Sequence, residues 1–261
     1  MKIAIVYNKY IQKEQALREN LKSLFADDSE ITLVNSEEMT LGYDFVFAVG
    51  GDGTILNVSK FYALSHTPVM GINLGRLGFL AQSDLLNLES LLSDVRNGIY
   101  KTETRSMLKF DNNFALNDFV IKGDFSARTS RFALEINGKF VCEYLADGII
   151  ISTPTGSTAY GMAAGGPVLA PDVDAIVIVP ICPHTFSARP IVVAADDEIK
   201  ILPCKNNEYN VSADGQIAFS WNKELVIKRT DKKANLALLN ENDFYTVLRN
   251  KLHWGISPAK I

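Results

Sequence analysis

Apolar runs and helical stripes alternate along the first hundred residues. Lys2 to Tyr7 is an apolar run suited to a buried strand, and Phe45 to Val49 is apolar at every position, as expected of a strand covered on both faces. The alternation also predicts strands at 31–34 and 69–72 and helices at 17–25, 55–62 and 85–95, the last stopping at Gly98. We therefore predict a parallel α/β domain over residues 1–100, with a Rossmann-like sheet.

The apolar period changes from about 3.6 towards 2 after residue 100. Phe132, Leu134 and Ile136 alternate with other residues, and Asn137-Gly138 is a strong signal for a two-residue hairpin. Further short strands are predicted at 140–142, 149–152, 175–179, 191–194, 198–202, 209–213 and 225–228. We predict a β-rich domain over residues 101–242 and a helical segment at 243–261 that returns to the first domain.

Composition and charge remove several classes of function. The 261 residues carry 26 Lys and Arg against 30 Asp and Glu, a net charge of −4, which argues against a protein that grips nucleic acid by its phosphates. No apolar run reaches the roughly 18 residues of a membrane span, and the first apolar run is too short for a signal peptide. Cys142, Cys182 and Cys204 form no CxxC pair. We expect reduced thiols, a cytoplasmic location and no membrane partner.

The strongest local feature is a glycine loop, Gly-Gly-Asp-Gly-Thr at 50–54, between a buried strand and a helix. Gly50, Gly51 and Gly53 let a phosphate chain approach the backbone closely, and the helix start with Thr54 favours an anion. Asp52 among them suits a proton acceptor for a hydroxyl nucleophile or a metal contact, although it could also be a helix cap. The loop is neither the Rossmann G-x-G-x-x-G fingerprint nor a P-loop, so ordinary dinucleotide oxidoreductases and Walker ATPases are excluded.

A second glycine-containing loop follows the next predicted strand, over residues 71–80. Ligand loops in parallel sheets lie at the carboxyl ends of the strands, so we expect this loop and the first to face one crevice. Gly75 and Arg76 are candidate phosphate contacts. Phe79 could flank a base or could pack in the core.

Two polar segments in the β-rich part suit a nucleoside. Ser152 to Gly161 is rich in hydroxyls and small residues, and Tyr160 offers a ring for stacking, but the segment could also be an ordinary polar loop. Asn117 and Asp118 interrupt an apolar strand. Alternation sends neighbouring side chains to opposite faces, so both reach one ligand only at a bulge or strand end; the alternative is a solvent-facing turn.

Taken together, these motifs resemble those of NAD kinases, in the same order. They are Gly-Gly-Asp-Gly-Thr at 50–54, Asn-Leu-Gly-Arg-Leu-Gly-Phe-Leu at 73–80, Leu-Asn-Asp at 116–118, Asp-Gly at 147–148, Thr-Pro-Thr-Gly-Ser-Thr-Ala-Tyr at 153–160, Pro-His-Thr-Phe-Ser-Ala-Arg-Pro at 183–190 and Asp-Gly-Gln at 214–216. The resemblance covers nearly the whole chain. It implies phosphorylation of the adenosine-ribose 2′-hydroxyl of NAD to give NADP, two domains of the types predicted above, and a homo-oligomer, usually a tetramer.

The resemblance also implies roles for individual residues. Asp52 matches the general base, and Gly53 lies beside the dinucleotide. Asn117 and Asp118 match contacts to base and ribose hydroxyls, and Asp147 matches an aspartate that reads the nicotinamide carboxamide from a neighbouring subunit. Thr158, Ala159 and Tyr160 match the adenine-side contacts, with Thr155 nearby. Arg128 and Gln216 match positions that contact the ligand in some members of the family. The donor is ATP or polyphosphate, with Mg²⁺ or another divalent cation held by phosphates.

This sequence departs from the family pattern at two positions. Asp118 stands where glutamate is common and is shorter by one methylene, and Ala163 stands where many relatives have a serine hydroxyl.

Two other functions remain open from the sequence. Lipid kinases acting on diacylglycerol or sphingoid bases share the Gly-Gly-Asp-Gly-Thr loop, but they are expected to carry a Gly-Thr-Gly-Asn-Asp-type segment where this chain has Asn-Leu-Gly-Arg-Leu-Gly at 73–78. A sensor that binds NAD or NADP without turnover is the third class, and its support is the altered Asp118.

Overall fold

The computed structural model describes residues 1–8, 10, 14–26, 28–75, 78–123, 129–203, 208–239 and 243–253. The chain divides into two compact units. Unit 1 contains Met1–Thr104 and the segment from Ala234 onward, and unit 2 contains Arg105–Lys233. We predicted a boundary near residue 100 and a return at 243; in the structure the chain re-enters unit 1 earlier, at Ala234.

Unit 1 begins with alternating strands and helices, as predicted. The elements are β1 (Ile3–Tyr7), α1 (Glu14–Leu24), β2 (Ile31–Asn35), β3 (Phe45–Val49), α2 (Asp52–Tyr62), β4 (Val69–Asn73), β5 (Ala81–Asp84) and α3 (Leu88–Arg96). The strand order β2-β1-β3-β4 is parallel throughout, and β5 continues it beside β4. This confirms the predicted parallel α/β sheet. β5 was not predicted.

The continuous apolar runs of unit 1 correspond to its central strands. Every residue of β1, β3 and β4 is buried, because helices cover a parallel sheet on both faces. Leu21 of α1 and Leu88, Leu92 and Val95 of α3 pack in the same core. Burying each large apolar side chain contributes roughly 1.5–3 kcal/mol, so the sheet is a firm base for the loops at its strand ends.

Unit 2 is built from antiparallel strands. Its elements are β6 (Lys101–Phe110), which begins in unit 1, β7 (Asn113–Ala115), β8 (Asp118–Gly123), β9 (Ser130–Ile136), β10 (Lys139–Ala146), β11 (Gly148–Ser152), α4 (Tyr160–Ala163), β12 (Ala175–Ile181), β13 (Ile191–Ala194), β14 (Ile199–Pro203), β15 (Tyr209–Ala213), β16 (Ile217–Trp221) and β17 (Leu225–Leu238), which ends in unit 1. The antiparallel β-rich prediction is confirmed, while β6, β16 and the long second half of β17 were missed.

Two layers of strands share the core of unit 2. One sheet has the order β13-β12-β11-β8-β15-β16, and β10-β9-β14-β17 lie in the other. Phe119 and Ile121 of β8 pack with Phe132 and Leu134 of β9 in one apolar cluster. The alternate residues of β8 therefore face away from this cluster, which places Asp118 on the outer face of the first sheet.

The final helix, α5 (Phe244–Leu252), begins after Asp243, whose Oδ1 accepts the Tyr245 N–H at 2.9 Å as an N-cap. Cys142 and Cys182 are free, and Cys204 lies outside the described residues. No helix in the described part of the chain is long and apolar enough to cross a membrane.

The Asn137-Gly138 turn between β9 and β10 yields a stability prediction. Both residues have positive φ, 51° and 72°, and a Cβ at Gly138 would meet no atom within 4 Å. Gly138→Ala should therefore lower the free energy of unfolding by about 1–2 kcal/mol through backbone strain alone. Gly161→Ala is the control, because its φ is ordinary and its Cβ would make only van der Waals contacts. Urea unfolding of both variants checks this, and equal stabilities would contradict it.

Candidate functional site

The glycine loop connects β3 to α2 in unit 1. Gly51 occupies the cap position of α2, Asp52 is its first helical residue, and the Gly51 carbonyl accepts the Thr54 N–H at 2.9 Å. The Gly50 N–H donates to the Ile72 carbonyl of β4 at 2.8 Å. A Cβ at Gly50 would lie 2.5 Å from Thr54 Oγ1, so the tight turn itself requires a glycine there.

The Asp52 carboxylate links the glycine loop to the second loop. Oδ2 accepts the Phe79 N–H at 2.9 Å and Oδ1 accepts the Leu80 N–H at 3.3 Å. Since Gly51 occupies the cap position, the interpretation of Asp52 as a helix cap is wrong. A Cβ at Gly78 would overlap this carboxylate, with even Oδ2 only 2.5 Å away. The prediction that the two loops lie together is confirmed within unit 1.

Asn73, the last residue of β4, gives the second loop its shape. Its Nδ2 donates to the Ser83 carbonyl at 3.0 Å, and its Oδ1 accepts the Gly75 N–H at 2.9 Å. The Gly75 amide is therefore used inside the loop. Phe79 is half-buried, and Arg76, the other predicted phosphate contact, lies outside the described residues.

Unit 2 contains a cavity of about 360 Å³ on the outer face of β8 and β15, at the start of α4. Among the predicted site residues, Asn117, Asp118, Ala159 and Tyr160 line it. The remaining lining residues are Val120, Lys122, Asn210, Val211, Ser212, Asp214, Gly215 and Ala218. The cavity combines an apolar floor with a few polar groups, the usual composition of a small-molecule site.

Asn117 lies in the break between β7 and β8, which satisfies the strand-end condition for both side chains to reach one ligand. The segment is held from one side by Thr153, whose N–H donates to the Asn117 carbonyl at 2.8 Å and whose hydroxyl donates to the Leu116 carbonyl at 2.6 Å. Asp118 is only 4% exposed, so the alternative of a solvent-facing turn is wrong for this residue.

Burial, and after it the nearby Asp214 carboxylate, raise the pKa of the Asp118 carboxyl to about 7. A carboxyl group that titrates near neutrality inside a cavity marks a candidate ligand contact.

The Ser/Thr-rich segment turns most of its hydroxyls inward. Thr155 to Thr158 form a 3-10 turn in which the Thr158 hydroxyl donates to the Thr155 carbonyl at 3.3 Å, and the Ser157 hydroxyl donates to the Pro154 carbonyl at 2.7 Å. Thr155 and Thr158 are buried and do not line the cavity, whereas Ala159 and Tyr160 do. The hydroxyls therefore shape the loop that presents the Tyr160 ring.

Other predicted residues lie outside the cavity. Asp147, Ala163 and Gln216 are exposed and do not line it, and Gly53 is exposed in unit 1. The Asp147 N–H donates to the Ile181 carbonyl at 3.0 Å. Arg128 lies outside the described residues.

The sequence assigned no individual role to four polar cavity residues, although one of them, Asp214, lies in the Asp-Gly-Gln motif; they are Lys122, Asn210, Ser212 and Asp214. Lys122 Nζ lies 5.5 Å from the centre of the Tyr160 ring, a cation–π arrangement. Period-2 alternation from Asp118 could have indicated Lys122, because residues 118, 120 and 122 share one strand face. To place Asn210, Ser212 and Asp214 at the cavity, one must know that β15 pairs with β8.

The chain combines a parallel α/β unit that carries a glycine loop with a β-rich unit that carries a polar cavity, features that suit a nucleotide-binding protein. Comparison with known proteins identifies the family. Residues 3–100 match the model of the ATP-NAD kinase N-terminal domain, and residues 116–238 match that of the C-terminal domain. The chain belongs to the NAD kinase family.

Individual relatives agree with this assignment. The chain is 41% identical to an NAD kinase of Caldanaerobacter subterraneus subsp. tengcongensis over 80% of this chain and 78% of the relative. It is 36% identical to one from Thermoanaerobacter sp. strain X514 over 96% and 98%. A solved NAD kinase from Archaeoglobus fulgidus in complex with ATP is 29% identical, covers 97% of this chain and 98% of its own, and has a TM-score of 0.76. These matches confirm the predicted enzyme class and give no support to a lipid kinase or a sensor.

The close approach of Gly78 to Asp52 can be tested by a double-mutant cycle. Gly78→Ala should lower the free energy of unfolding by about 1–3 kcal/mol, because the added methyl group overlaps the carboxylate. In an Asp52→Ala background the same substitution should cost much less, since the obstructing group is gone. If urea unfolding showed that Gly78→Ala lowers the free energy of unfolding equally in both backgrounds, the close approach of Gly78 to the Asp52 carboxylate would be contradicted.

The raised pKa of Asp118 predicts a pH dependence of stability. The unfolded carboxyl has a pKa near 3.9, so between about pH 4 and pH 7 the folded chain retains a proton that the unfolded chain has released. Stability from this residue therefore falls as the pH rises through that window, by at most about 1.4 kcal/mol per pH unit, and is constant above it. Asp118→Asn should lack this trend in urea unfolding, whereas Asp111→Asn, at an exposed turn, should keep it. If the free energy of unfolding depended on pH in the same way for the unmodified chain and for Asp118→Asn, the raised pKa of Asp118 would be refuted.

Proposed function

We propose that this enzyme transfers the terminal phosphoryl group of ATP to the adenosine-ribose 2′-hydroxyl of NAD, giving NADP and ADP, with Asp52 as the general base. The observation that carries this is the oriented Asp52 carboxylate at the start of α2, among glycines that leave the backbone open to phosphates. Two solved relatives support the nucleotide assignments, the A. fulgidus NAD kinase in complex with ATP and a yeast NADH kinase complexed with NADH, the latter 25% identical over 98% of this chain and 89% of its own, with a TM-score of 0.81.

The hydrogen bonds of Asp52 suit this role physically. A carboxylate has about four lone-pair positions, and the Phe79 and Leu80 amides occupy only two of them. The two amides fix the orientation of the carboxylate before substrate binds, while leaving lone pairs that can accept a proton. The 2′-oxygen gives its proton to Asp52 as it bonds to the γ-phosphorus, and the bond from that phosphorus to the leaving oxygen of ADP breaks.

The cavity of unit 2 is the proposed dinucleotide site. Tyr160 offers an aromatic face, Asn117 offers a donor and an acceptor, and Asp118 can hydrogen-bond to ribose hydroxyls or the base. Thr155 and Thr158 support the loop, and Gly53, Arg128 and Gln216 remain predicted ligand contacts. Asp147 is exposed and does not line the cavity, as would suit a contact to NAD in a neighbouring subunit.

A divalent cation, with Mg²⁺ as the first candidate, would be held chiefly by donor phosphates and water. Among the described residues, no three His, Cys, Asp or Glu side chains converge as a metal site. Such an ion supplies neutralisation of the developing phosphate charge. Polyphosphate remains an alternative donor.

Self-association is part of the same proposal, with a homotetramer as the expected state. Large apolar side chains of unit 2 stand in solvent, Phe186 at 100% and Phe140 at 66% exposure, which favours burial against another subunit. The cytoplasm is the predicted compartment.

The general-base role of Asp52 is tested by Asp52→Asn. We expect kcat to fall by about 10²–10⁴, while the dissociation constant for NAD changes little, because a positioned base acts on the transition state. NADP formation is measured with NAD and Mg²⁺, with ATP or polyphosphate as donor.

Asp94→Asn, on α3, is the control for removing one carboxylate from unit 1 and should retain wild-type turnover. Near-normal kcat for Asp52→Asn would rule out the base. Absence of NADP formation by the unmodified chain with either donor would reject the function itself.

A further inference from the structure

Asp214 occupies the turn between β15 and β16 and has a positive φ of 51°. Its Oδ1 accepts the N–H groups of Asn117 at 2.8 Å and Asp118 at 3.1 Å, and its Oδ2 accepts the Leu116 N–H at 3.1 Å. One carboxylate therefore binds three consecutive backbone amides of the break between β7 and β8.

The carbonyl groups of the same three residues are also bound. The Thr153 side chain and amide donate to the carbonyls of Leu116 and Asn117, and the Asp214 N–H donates to the Asp118 carbonyl at 2.9 Å. All six backbone polar groups of residues 116–118 thus have partners, four of them supplied by Asp214. Hydrogen bonds to a charged group are stronger than neutral ones, so the conformation of this segment depends largely on Asp214.

We propose that Asp214 is a positioning residue for the dinucleotide: its carboxylate holds the 116–118 backbone in the one conformation that turns Asn117 and Asp118 into the cavity. This role presupposes the proposed function, in which that cavity binds NAD. Asp214 acts through its neighbours, the backbone of residues 116–118.

The same carboxylate also sets the charge next to Asp118. After burial, Asp214 is the cause that raises the pKa of Asp118. The other charged or titratable side chains that line the cavity, within the described residues, are Lys122 on β8 and Tyr160 on α4. β15 contributes the uncharged Asn210 and Ser212, and β11 places the uncharged Ser152 opposite Asp118. Neutralising Asp214 should therefore lower the pKa of Asp118.

The primary test is Asp214→Asn, with Asp111→Asn as the matched control. Both aspartates sit in turns with a φ of 51°, a conformation that asparagine tolerates equally well, so backbone strain does not distinguish the variants. For Asp214→Asn we expect the dissociation constant for NAD, measured by calorimetry, to rise about 10- to 100-fold, with a smaller change in kcat. The midpoint of the pH dependence of NAD binding should move below 7.

Asp111→Asn should match the unmodified enzyme in both quantities. If Asp214→Asn also matches it, while the unmodified enzyme forms NADP, the positioning role is wrong and the proposed function stands. If the unmodified enzyme forms no NADP, the function fails independently of Asp214.

Asp214→Glu separates geometry from charge. It keeps the negative charge but displaces it by one methylene, so NAD affinity should fall while the pH midpoint stays near 7. A midpoint that falls as far as in Asp214→Asn would overturn the electrostatic part. Should either variant fail to fold, amide exchange in the unmodified chain decides: the amides of 116–118 should exchange slowly, and exchange as fast as at the exposed Asn137-Gly138 turn would refute the clamp.

Discussion

The hydrogen bonds from the Phe79 and Leu80 amides to the Asp52 carboxylate join the glycine loop of unit 1 to its second loop. An aspartate at the start of a helix commonly satisfies that helix's own amides, but here it spans to the loop that follows the neighbouring parallel strand. The glycine at 78 allows the approach, since any side chain there would occupy the space of the carboxylate. The fold thus fixes the orientation of the Asp52 carboxylate, the proposed base, without a bound substrate.

In unit 2, too, a side-chain carboxylate binds backbone amides. Asp214 accepts the N–H groups of residues 116–118 at the break between β7 and β8. The strand that follows the break, β8, has two chemically distinct faces. Phe119 and Ile121 fill the core, while Asp118 and Lys122 face the cavity. Packing of the apolar face holds β8 in place, so the cavity residues on its other face stand on a packed strand and not on a free loop.

Periodicity predicted the elements whose environment is uniform. β1, β3 and β4 are buried along their whole length and therefore appear as unbroken apolar runs. The second half of β17 escaped detection because its central residues, 228–233, are all polar or charged, although the strand continues to Leu238. β16 was also missed; it lies at the edge of its sheet and forms a strand because it pairs with β15 on one side.

The sequence motifs of the site could be predicted from the sequence, whereas the contacts between them could not. The glycines, Asp52 and the Asn117-Asp118 pair carry local chemistry that the sequence displays. The partners of Asp52 lie 27 and 28 residues away and are backbone amides, which every residue except proline possesses, so they leave no signature. Likewise, only the β15–β8 register brings Asp214 to residues 116–118.

The most direct test is a crystal structure of the enzyme with NAD and a non-hydrolysable ATP analogue. We expect an Asp52 carboxylate oxygen within about 2.6–3.2 Å of the adenosine-ribose 2′-oxygen, with the Phe79 and Leu80 hydrogen bonds retained. A 2′-oxygen held by another side chain, beyond hydrogen-bonding reach of Asp52, would contradict the general-base role.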